Sequence, residues 1–246
     1  MWENYIGQTD LKRELQNLRH HNVSILLRGN SGYGKTTLAE LYASSRGKYD
    51  FQLGSQIEKE GTFYYNPIAI THIVDEVHEL RNPEIIYPYL DSGMSFVFCT
   101  NESQNLKEPL RNRCVERFLK PYTNEELKQI IRLKYKYSNE ILDILADRSR
   151  GVPRTVLQLA FLISVNCKSM TEIIEYLNST GYYEGGLTSK DKEYLEFIKR
   201  VKKASLNTLK ANLNIPSNQI VEEIEPYLIR KGLISIGSGG RLYTGD

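Results

Sequence analysis

An eight-residue stretch at positions 29–36 constrains the fold of this chain more than any other feature. It reads Gly-Asn-Ser-Gly-Tyr-Gly-Lys-Thr and fits the pattern G-x-x-x-x-G-K-[ST]. An apolar, β-branched run precedes it at residues 23–27, and a helical pattern resumes from Thr37. In this context the glycines turn successive backbone N–H groups toward a phosphate, and the positive end of the helix faces the same anion. The sequence therefore predicts a strand, a phosphate-binding loop and a helix.

The loop predicts ATP and Mg²⁺ as cofactors and gives its polar side chains separate roles. Lys35 is expected to reach the β- and γ-phosphates, and the Thr36 hydroxyl is expected to ligate Mg²⁺. A glycine turn without a ligand is the alternative, but the flanking strand and helix favour nucleotide binding. The loop residues predicted to bind the nucleotide are Gly29, Asn30, Ser31, Gly32, Tyr33, Gly34, Lys35, Thr36 and Thr37.

Polar residues follow two further apolar runs, at residues 68–74 and 95–99, which we predict to be buried strands. Asp75 is expected to hold the Mg²⁺ shell, and Glu76 to orient and deprotonate the attacking water. Asn101 is expected to sense the γ-phosphate. The alternatives are an exposed loop for the two carboxylates and a simple strand-terminating role for the asparagine. His78 receives no role, because a lone histidine at such a position is more often structural or at the surface.

The order of these patterns predicts an α/β fold followed by two smaller modules. Segments between the predicted strands are long enough for crossover helices, which indicates a parallel sheet. From Thr123 the pattern becomes helical, and Thr123 with Glu126 forms a capping box. A glycine-rich linker at residues 181–186 precedes three helix-like stretches and a glycine-turned hairpin, which is typical of a winged helix. We therefore predict a nucleotide-binding domain at 1–120, a helical lid at 121–181 and a winged-helix domain at 187–246.

Composition excludes some other classes of protein. No apolar run approaches the roughly 20 residues that a membrane span requires, and the N-terminus lacks the basic and apolar regions of a secretory signal. The three cysteines are widely spaced and include no C-x-x-C pair, so neither a disulfide framework nor a zinc site is indicated. We expect a cytoplasmic protein that does not contact a membrane. The formal charge of +2 does not by itself indicate nucleic acid.

Beyond these features, several short motifs resemble a known family. With the loop and strand-end residues already in place, the chain resembles the AAA+ superfamily, and within it the RuvB family of Holliday-junction branch-migration motors. The resemblance implies that Tyr5 and Ile6 flank the adenine, and that Tyr122 and Pro153 also contact the nucleotide. The stretches that carry it lie at residues 5–8, 57–61, 109–113, 121–123, 150–154 and 225–233.

The same resemblance implies two catalytic arginines and a ring. Arg113 would reach the γ-phosphate of a neighbouring subunit's ATP, and Arg154 would contact the phosphates within its own subunit. Whether Arg111 or Arg113 is this arginine finger stays open. Self-association into a hexamer or pentamer follows from a shared site.

Two departures from the RuvB pattern concern the partners. Asp75 and Asn101 lie only 26 positions apart, which leaves no room for the hairpin with which RuvB grips its partner RuvA. We therefore expect a protein partner other than RuvA. The short spacing, together with Arg113 and Cys114, instead resembles the clamp loaders of DNA polymerases.

The second departure lies in the predicted winged helix. Its wing keeps Arg241 as the clear phosphate contact, and the predicted recognition helix at 217–230 carries three glutamates that would repel a DNA backbone. DNA binding is therefore expected to be largely sequence-independent. The basic run at 199–203 either contacts phosphates or forms a solvated helix face.

Three functions fit these observations. The first is an ATP-hydrolysing ring protein that acts on DNA as a RuvB-like branch-migration or translocation motor, a DNA helicase of recombination or replication. The second is a clamp-loader-like ATPase subunit that places a partner protein on DNA. The third is a protein-binding AAA+ adaptor.

Overall fold

A computed structural model of the protein describes residues 2–102 and 105–245. The chain forms two compact units. The first comprises Met1–Tyr135 and Gly151–Leu157, and the second comprises Lys136–Arg150 and Gln158–Asp246. The three-domain division predicted above remains a prediction beside these two units.

A five-stranded sheet forms the centre of the first unit. Its strands are β1 (Ile25–Arg28), β2 (Tyr49–Leu53), β3 (Thr71–Asp75), β4 (Ser95–Thr100) and β5 (Val115–Phe118), in the spatial order β2-β3-β4-β1-β5. All four pairings are parallel, as predicted. Every residue of β3 and β4 is buried, which is typical of strands with both faces covered. The carboxyl ends of β1, β3 and β4 therefore meet at one edge of the sheet.

The helices begin and end as follows. In the first unit they are α1 (Thr9–Leu18), α2 (Lys35–Arg46), α3 (Gly54–Glu60), α4 (Tyr87–Asp91), α5 (Glu108–Arg111) and α6 (Asn124–Arg132). Further along the chain are α7 (Asn139–Arg148), α8 (Pro153–Asn166), α9 (Met170–Ser179), α10 (Ser189–Val201), α11 (Leu206–Leu213), α12 (Ser217–Gln219) and α13 (Glu225–Arg230). A π-helical turn, Ile220–Ile224, joins the last two.

The capping box predicted at the start of α6 is confirmed. The Thr123 hydroxyl accepts from the Glu126 N–H at 3.2 Å, and the Glu126 carboxylate accepts from the Thr123 N–H at 2.8 Å. Two donors that a helix start leaves unpaired are satisfied in this way. The sequence signal therefore located the helix start to the residue.

Apolar residues cover both faces of the sheet. Successive side chains of a strand point to opposite faces, so Ile25 and Leu27 belong to one buried cluster with Leu38. Leu26 belongs to the other, with Phe96. These two layers hold the strand ends, and hence the site, in fixed positions.

The third strand begins later than the sequence pattern suggests. Residues 68–70 were predicted to be strand, but the backbone turns at 66–69, where the Ala69 N–H donates to the Asn66 carbonyl. Ile68 and Ile70 are 61% and 50% exposed. The proline at position 67, which has no N–H to donate, explains why the ladder does not extend into this apolar stretch.

The second unit contains the predicted winged helix. Helices α10 to α13 pack with a three-stranded antiparallel sheet of β6 (Lys203–Ala204), β7 (Ile234–Gly237) and β8 (Gly240–Tyr243), in the order β6-β8-β7. The wing is the hairpin between β7 and β8. Its core includes Tyr194, Leu209 and Leu228.

The segment predicted to be a linker, residues 181–186, is packed. The Gly185 N–H donates to the Asp147 carboxylate at 2.6 Å, and Gly186 is buried. The Tyr227 hydroxyl donates to the Gly185 carbonyl. These contacts make 181–186 part of the second unit instead of a free connection.

Two findings bear on the class of protein. Within the described residues, no helix combines the length and the apolar character that crossing a bilayer requires. Cys99, Cys114 and Cys167 are free thiols.

Candidate functional site

The phosphate loop joins β1 to α2 and uses glycines where the backbone turns. Gly32 and Gly34 have φ values of +82° and +86°, which glycine adopts without steric cost. The Lys35 ammonium is buried and donates to the carbonyls of Gly29 at 2.8 Å and Asn30 at 3.3 Å. Lys35 is thus held inside the curve of the loop. Thr37 is exposed in the first turn of α2.

Burial lowers the pKa of Lys35, and the carboxylates of Glu76 and Asp75 act in the opposite direction. The positive charge is therefore partly desolvated, in a position suited to binding an anion. A bound triphosphate would place negative charge beside this lysine and so stabilise its charged form.

An oxygen pair suited to a hard cation lies beside the loop. The Thr36 hydroxyl donates to Asp75 Oδ2 at 2.6 Å, and Asp75 Oδ1 accepts from the Glu76 N–H at 2.9 Å. Asp75 ends the buried strand β3 and is itself buried. A hydroxyl and a carboxylate are ligands that Mg²⁺ prefers, so these two residues fit the predicted metal site.

Glu76 leaves the strand in a left-handed conformation, with φ of +50°, which is uncommon for a residue other than glycine. Its carboxylate is 40% exposed, and Oε2 lies 3.4 Å from His78 Nδ1. The 3-10 turn Val77–Glu79 that follows brings His78 back against the strand end. The Glu76 carboxylate is therefore partly open to solvent at the strand end.

The end of β4 closes the site on the other side. The Thr100 carbonyl accepts from the Gly29 N–H at 3.3 Å, and its hydroxyl lies 3.1 Å from His78 Nδ1. The Glu102 N–H donates to the same hydroxyl at 3.0 Å. Asn101 comes directly after this strand and is exposed. The strand end is thus tied both to the phosphate loop and to the segment after β3.

A pair of tyrosines lies against the start of α2. The Tyr122 hydroxyl donates to the Tyr5 hydroxyl at 3.0 Å, which donates in turn to the Gly34 carbonyl at 3.3 Å. Burial is the main reason that the pKa of each tyrosine is raised. Ile6 is half-buried next to them. Two motifs that lie far apart in sequence therefore meet at the loop.

Arg154 lies on the opposite side of the loop. Its guanidinium donates to the Ser31 hydroxyl at 3.3 Å, and its N–H donates to the Gly32 carbonyl at 3.4 Å. Pro153 is the first residue of α8, a position where the missing N–H costs nothing. A side chain at Gly32 would lie 2.8 Å from Val152 Cγ1, so glycine is required there. Arg154, which was predicted to contact the phosphates of its own subunit, therefore reaches the phosphate loop within the first unit.

Arg113 is engaged elsewhere on the first unit. Its guanidinium donates to both Asp91 oxygens, at 2.8 and 3.2 Å, and to the Pro109 carbonyl at 3.0 Å. It lies 4.6 Å from the centre of the Tyr87 ring. Arg111 pairs with Glu116 at 3.3 Å. In the described part of the chain neither arginine contacts the phosphate loop, and the role of arginine finger, at Arg113 or Arg111, stays a prediction.

Arg241, which was predicted to contact DNA, is paired within the second unit. Its guanidinium donates to the two oxygens of Glu225 at 2.8 and 3.2 Å, and this carboxylate is buried and also accepts from the Tyr194 hydroxyl at 3.0 Å. The hydrogen bond to Glu225 is the main cause that raises the pKa of Arg241. Because a buried carboxylate requires a partner, Arg241 neutralises the charge of Glu225. Its contact with DNA stays a prediction, which this pairing disfavours. Glu225 does not face a DNA backbone.

From the sequence, His78 received no role, and at the end of β4 Asn101 was preferred to Thr100. The signal was present, since a histidine three residues after a strand-end aspartate lies within one turn of Asp75. Only the observed 3-10 turn shows that this side chain faces the strand ends.

Comparisons with known proteins agree with this fold. The model of the "RuvB C-terminal winged helix domain" matches residues 184–246. The Holliday junction branch migration complex subunit RuvB of Mycoplasmopsis synoviae is 30% identical over 298 positions, which cover 99% of this chain and 93% of that protein. The corresponding subunit of Fervidobacterium nodosum is 29% identical, with 98% and 84% covered.

Solved structures lead to the same family. The Thermotoga maritima RuvB Holliday junction branch migration motor has a TM-score of 0.78 at 25% identity and covers 97% of this chain and 92% of that one. Since this chain has only 246 residues, the alignment with the M. synoviae protein leaves about fifty positions without a counterpart. Agreement over nearly the whole chain nevertheless shows that it belongs to the RuvB family of AAA+ ATPases.

Proposed function

We propose that this chain is the ATP-hydrolysing subunit of a ring-shaped motor that drives branch migration of DNA. Its relatives are named as subunits of a Holliday junction branch migration complex. The observation that carries the proposal is the convergence of Lys35, Asp75 and Arg154 on one phosphate loop, in a chain that also has a RuvB-type winged helix. A binding module alone does not require a buried lysine, an acidic strand end and an arginine sensor together.

In the proposed reaction each of these side chains has one task. Lys35 and Arg154 bind the phosphates, and the Thr36 hydroxyl and Asp75 hold Mg²⁺, which neutralises phosphate charge when bound. The carboxylate of Glu76 takes a proton from water as the water oxygen bonds to the γ-phosphorus. The bond from that phosphorus to the β–γ bridging oxygen breaks, so that ADP and inorganic phosphate are released. Asn101 orients the γ-phosphate.

The adenine side of the site is formed by the remaining nucleotide contacts. Tyr5, Ile6 and Tyr122 surround the base, and their support is the hydrogen-bonded pair of tyrosines against Gly34. Pro153 sets the direction from which the Arg154 side chain approaches the phosphate loop.

Self-association follows if Arg113 completes a neighbouring subunit's site. Arg113 and Asp91 are 34% and 58% exposed, and exposed ion pairs of this kind are weak. Arg113 could therefore exchange its contact with Asp91 for a contact with a phosphate at a small cost in free energy. A hexamer would suit translocation, whereas a pentamer would suit clamp loading.

DNA contacts are assigned to a cluster beside the wing, the wing-base cluster, which consists of Lys199, Arg200, Lys202 and Lys203. All four side chains are exposed, and in the described part of the chain none pairs with a carboxylate. The Lys203 ammonium lies beside the wing at Gly239. Because the cluster carries no base-reading geometry, we expect it to bind phosphates without sequence preference.

RuvA is not expected to be the partner of this motor. The segment between β3 and β4, residues 76–94, is fully described and contains 3-10 turns and α4 but no strand. A gripping hairpin of the RuvB type is therefore absent from it. The protein would work with another partner or alone.

A four-way DNA junction and ATP test the proposal. The purified protein should separate the junction into duplexes, and Lys35→Ala and Arg113→Ala should each abolish this activity. EDTA should do the same, because Thr36 and Asp75 would lose their metal. If ATP hydrolysis instead occurs only when a sliding clamp is added, the clamp-loader function replaces the motor.

The wing-base cluster has a test of its own. Alanine at Lys199, Lys202 and Lys203 should weaken DNA binding and lower the slope of log affinity against log salt by about 2 to 3, at roughly 0.9 per phosphate contact. Lys190→Ala is the matched control, since Lys190 is exposed on the same helix but contacts Gln219. An unchanged slope in the triple variant would refute the assignment.

A further inference from the structure

One side chain, His78, joins the two strand ends that form the catalytic side of the site. Its Nδ1 lies 3.4 Å from Glu76 Oε2 and 3.1 Å from the Thr100 hydroxyl. The imidazole is only 14% exposed, so its position is fixed by packing. His78 is thus the direct link between the proposed base on one strand and the sensor strand on the other.

The chemistry of these partners defines the link. A carboxylate only accepts hydrogen bonds, so a bond to Glu76 requires the hydrogen of the imidazole to be on Nδ1. The Thr100 hydroxyl already accepts from the Glu102 N–H and has a second lone pair for the same imidazole hydrogen. The contact to Glu76 is longer than an ordinary hydrogen bond, as catalytic contacts often are before the nucleotide binds.

Only one oxygen of Glu76 is engaged in this way. In the described part of the chain, Oε1 has no hydrogen-bond partner, whereas Oε2 faces His78. A carboxylate held by one oxygen can present the other to a water in a fixed direction.

The strand end that His78 contacts is also hydrogen-bonded to the phosphate loop. The Thr100 carbonyl accepts from the Gly29 N–H, and Asn101 follows at once. A shift of this strand end when the γ-phosphate is present would therefore move His78.

We infer that His78 is a positioning residue for ATP hydrolysis, which holds Glu76 toward the attacking water and couples this orientation to the Thr100–Asn101 strand end. The inference rests on the proposed function, because it requires Glu76 to be the base. His78 does not contact the nucleotide itself. Its removal should therefore lower kcat without weakening the binding of ATP.

The main experiment compares His78→Ala with His78→Asn. The alanine variant should lower kcat about ten- to a hundredfold, the size expected when a reacting group is misplaced by about 1 Å. The Kd for a slowly hydrolysed ATP analogue should not change. Asparagine places an N–H donor near the position of Nδ1 and should recover part of the rate. His21→Ala, at an exposed histidine, is the matched control and should behave as wild type.

A double variant distinguishes positioning from general structural support. In a Glu76→Gln background, His78→Ala should cause no further loss of single-turnover rate, because it acts through Glu76. An additional loss of the full size, or an equal loss in the alanine and asparagine variants with a lowered Tm, would overturn the inference. A normal rate in His78→Ala would also overturn it and leave the proposed function intact. Absence of Lys35-dependent hydrolysis in the wild type would overturn both.

Discussion

Lys35 shows how a functional side chain is placed at some expense of stability. Burial lowers its pKa, which means that the folded state disfavours the charged form more than the unfolded state does. Below the folded pKa, the charge therefore costs folding free energy. This cost starts to fall as the pH rises through the folded pKa and is gone above the unfolded pKa. The cost is offset when a phosphate binds.

We therefore expect Lys35→Met to leave the Tm without nucleotide unchanged or higher, and to abolish the rise in Tm that ATP produces. In the wild type, ATP at a hundredfold excess over Kd should stabilise the fold by about 2.7 kcal/mol. Thermal unfolding with and without ATP and Mg²⁺ measures both effects.

The control for this change is Lys48→Met, at an exposed lysine outside the site. It should retain the whole ATP-dependent rise. A Lys35→Met protein that is stabilised by ATP as strongly as the wild type would contradict the role given to Lys35.

Arg241 provides a second prediction at the scale of single residues. Arg241→Met should destabilise the protein by about 3–5 kcal/mol, because it leaves the buried carboxylate of Glu225 without its partner. Urea unfolding of the full-length protein measures the loss.

Replacing both members of this pair separates stability from DNA binding. Adding Glu225→Gln to Arg241→Met removes the buried charge and should recover most of the stability. The double variant should bind DNA like the wild type. If it is stable but has lost DNA affinity, Arg241 does contact DNA and the original sequence prediction was right.

Sequence reasoning brought together residues whose relative positions are set by local spacing. Lys35, Thr36 and Asp75 were predictable because the motif fixes their positions relative to one loop and one strand end. Arg241 was not, since its partner Glu225 lies 16 positions away and only the fold brings the two together. His78 required the turn after β3 to be known.

At the scale of elements, the strands were predicted better in the interior than at their ends. The apolar run at residues 68–74 located β3, but not its start at Thr71, because hydrophobicity alone does not record where the backbone turns. The predicted recognition helix was also found, yet it contains a π-helical turn at Ile220–Ile224. Such a turn changes the register of hydrogen bonds without a clear change in the apolar pattern.

The short connection between β3 and β4 leads to a prediction about partners. Because residues 76–94 form turns and α4 instead of a hairpin, RuvA should neither bind this protein nor stimulate its ATPase. A RuvB that has the hairpin is the positive control in the same assay. Stimulation of this chain by RuvA would show that another surface can replace the hairpin.

At the scale of the whole molecule, the fold class followed from one motif and its context. A phosphate loop after the first core strand nearly always belongs to a parallel sheet, and the observed order β2-β3-β4-β1-β5 places the loop beside two acidic or polar strand ends. The division into units was less predictable. The glycines at 181–186 indicate a linker, but contacts with Asp147 and Tyr227 make that segment part of a packed unit.

The last prediction concerns a site shared between subunits. Arg113→Ala and Lys35→Ala should each be inactive alone, because every site lacks either its finger or its lysine. When equal amounts are mixed and reassembled, a site with Lys35 from one subunit and Arg113 from its neighbour is complete. Random assembly forms such a pair at about one interface in four, so ATP hydrolysis should return to about a quarter of the wild-type rate if interfaces act independently. An Arg113 that acted within its own subunit would give no recovery at any mixing ratio, since no subunit in the mixture carries both residues.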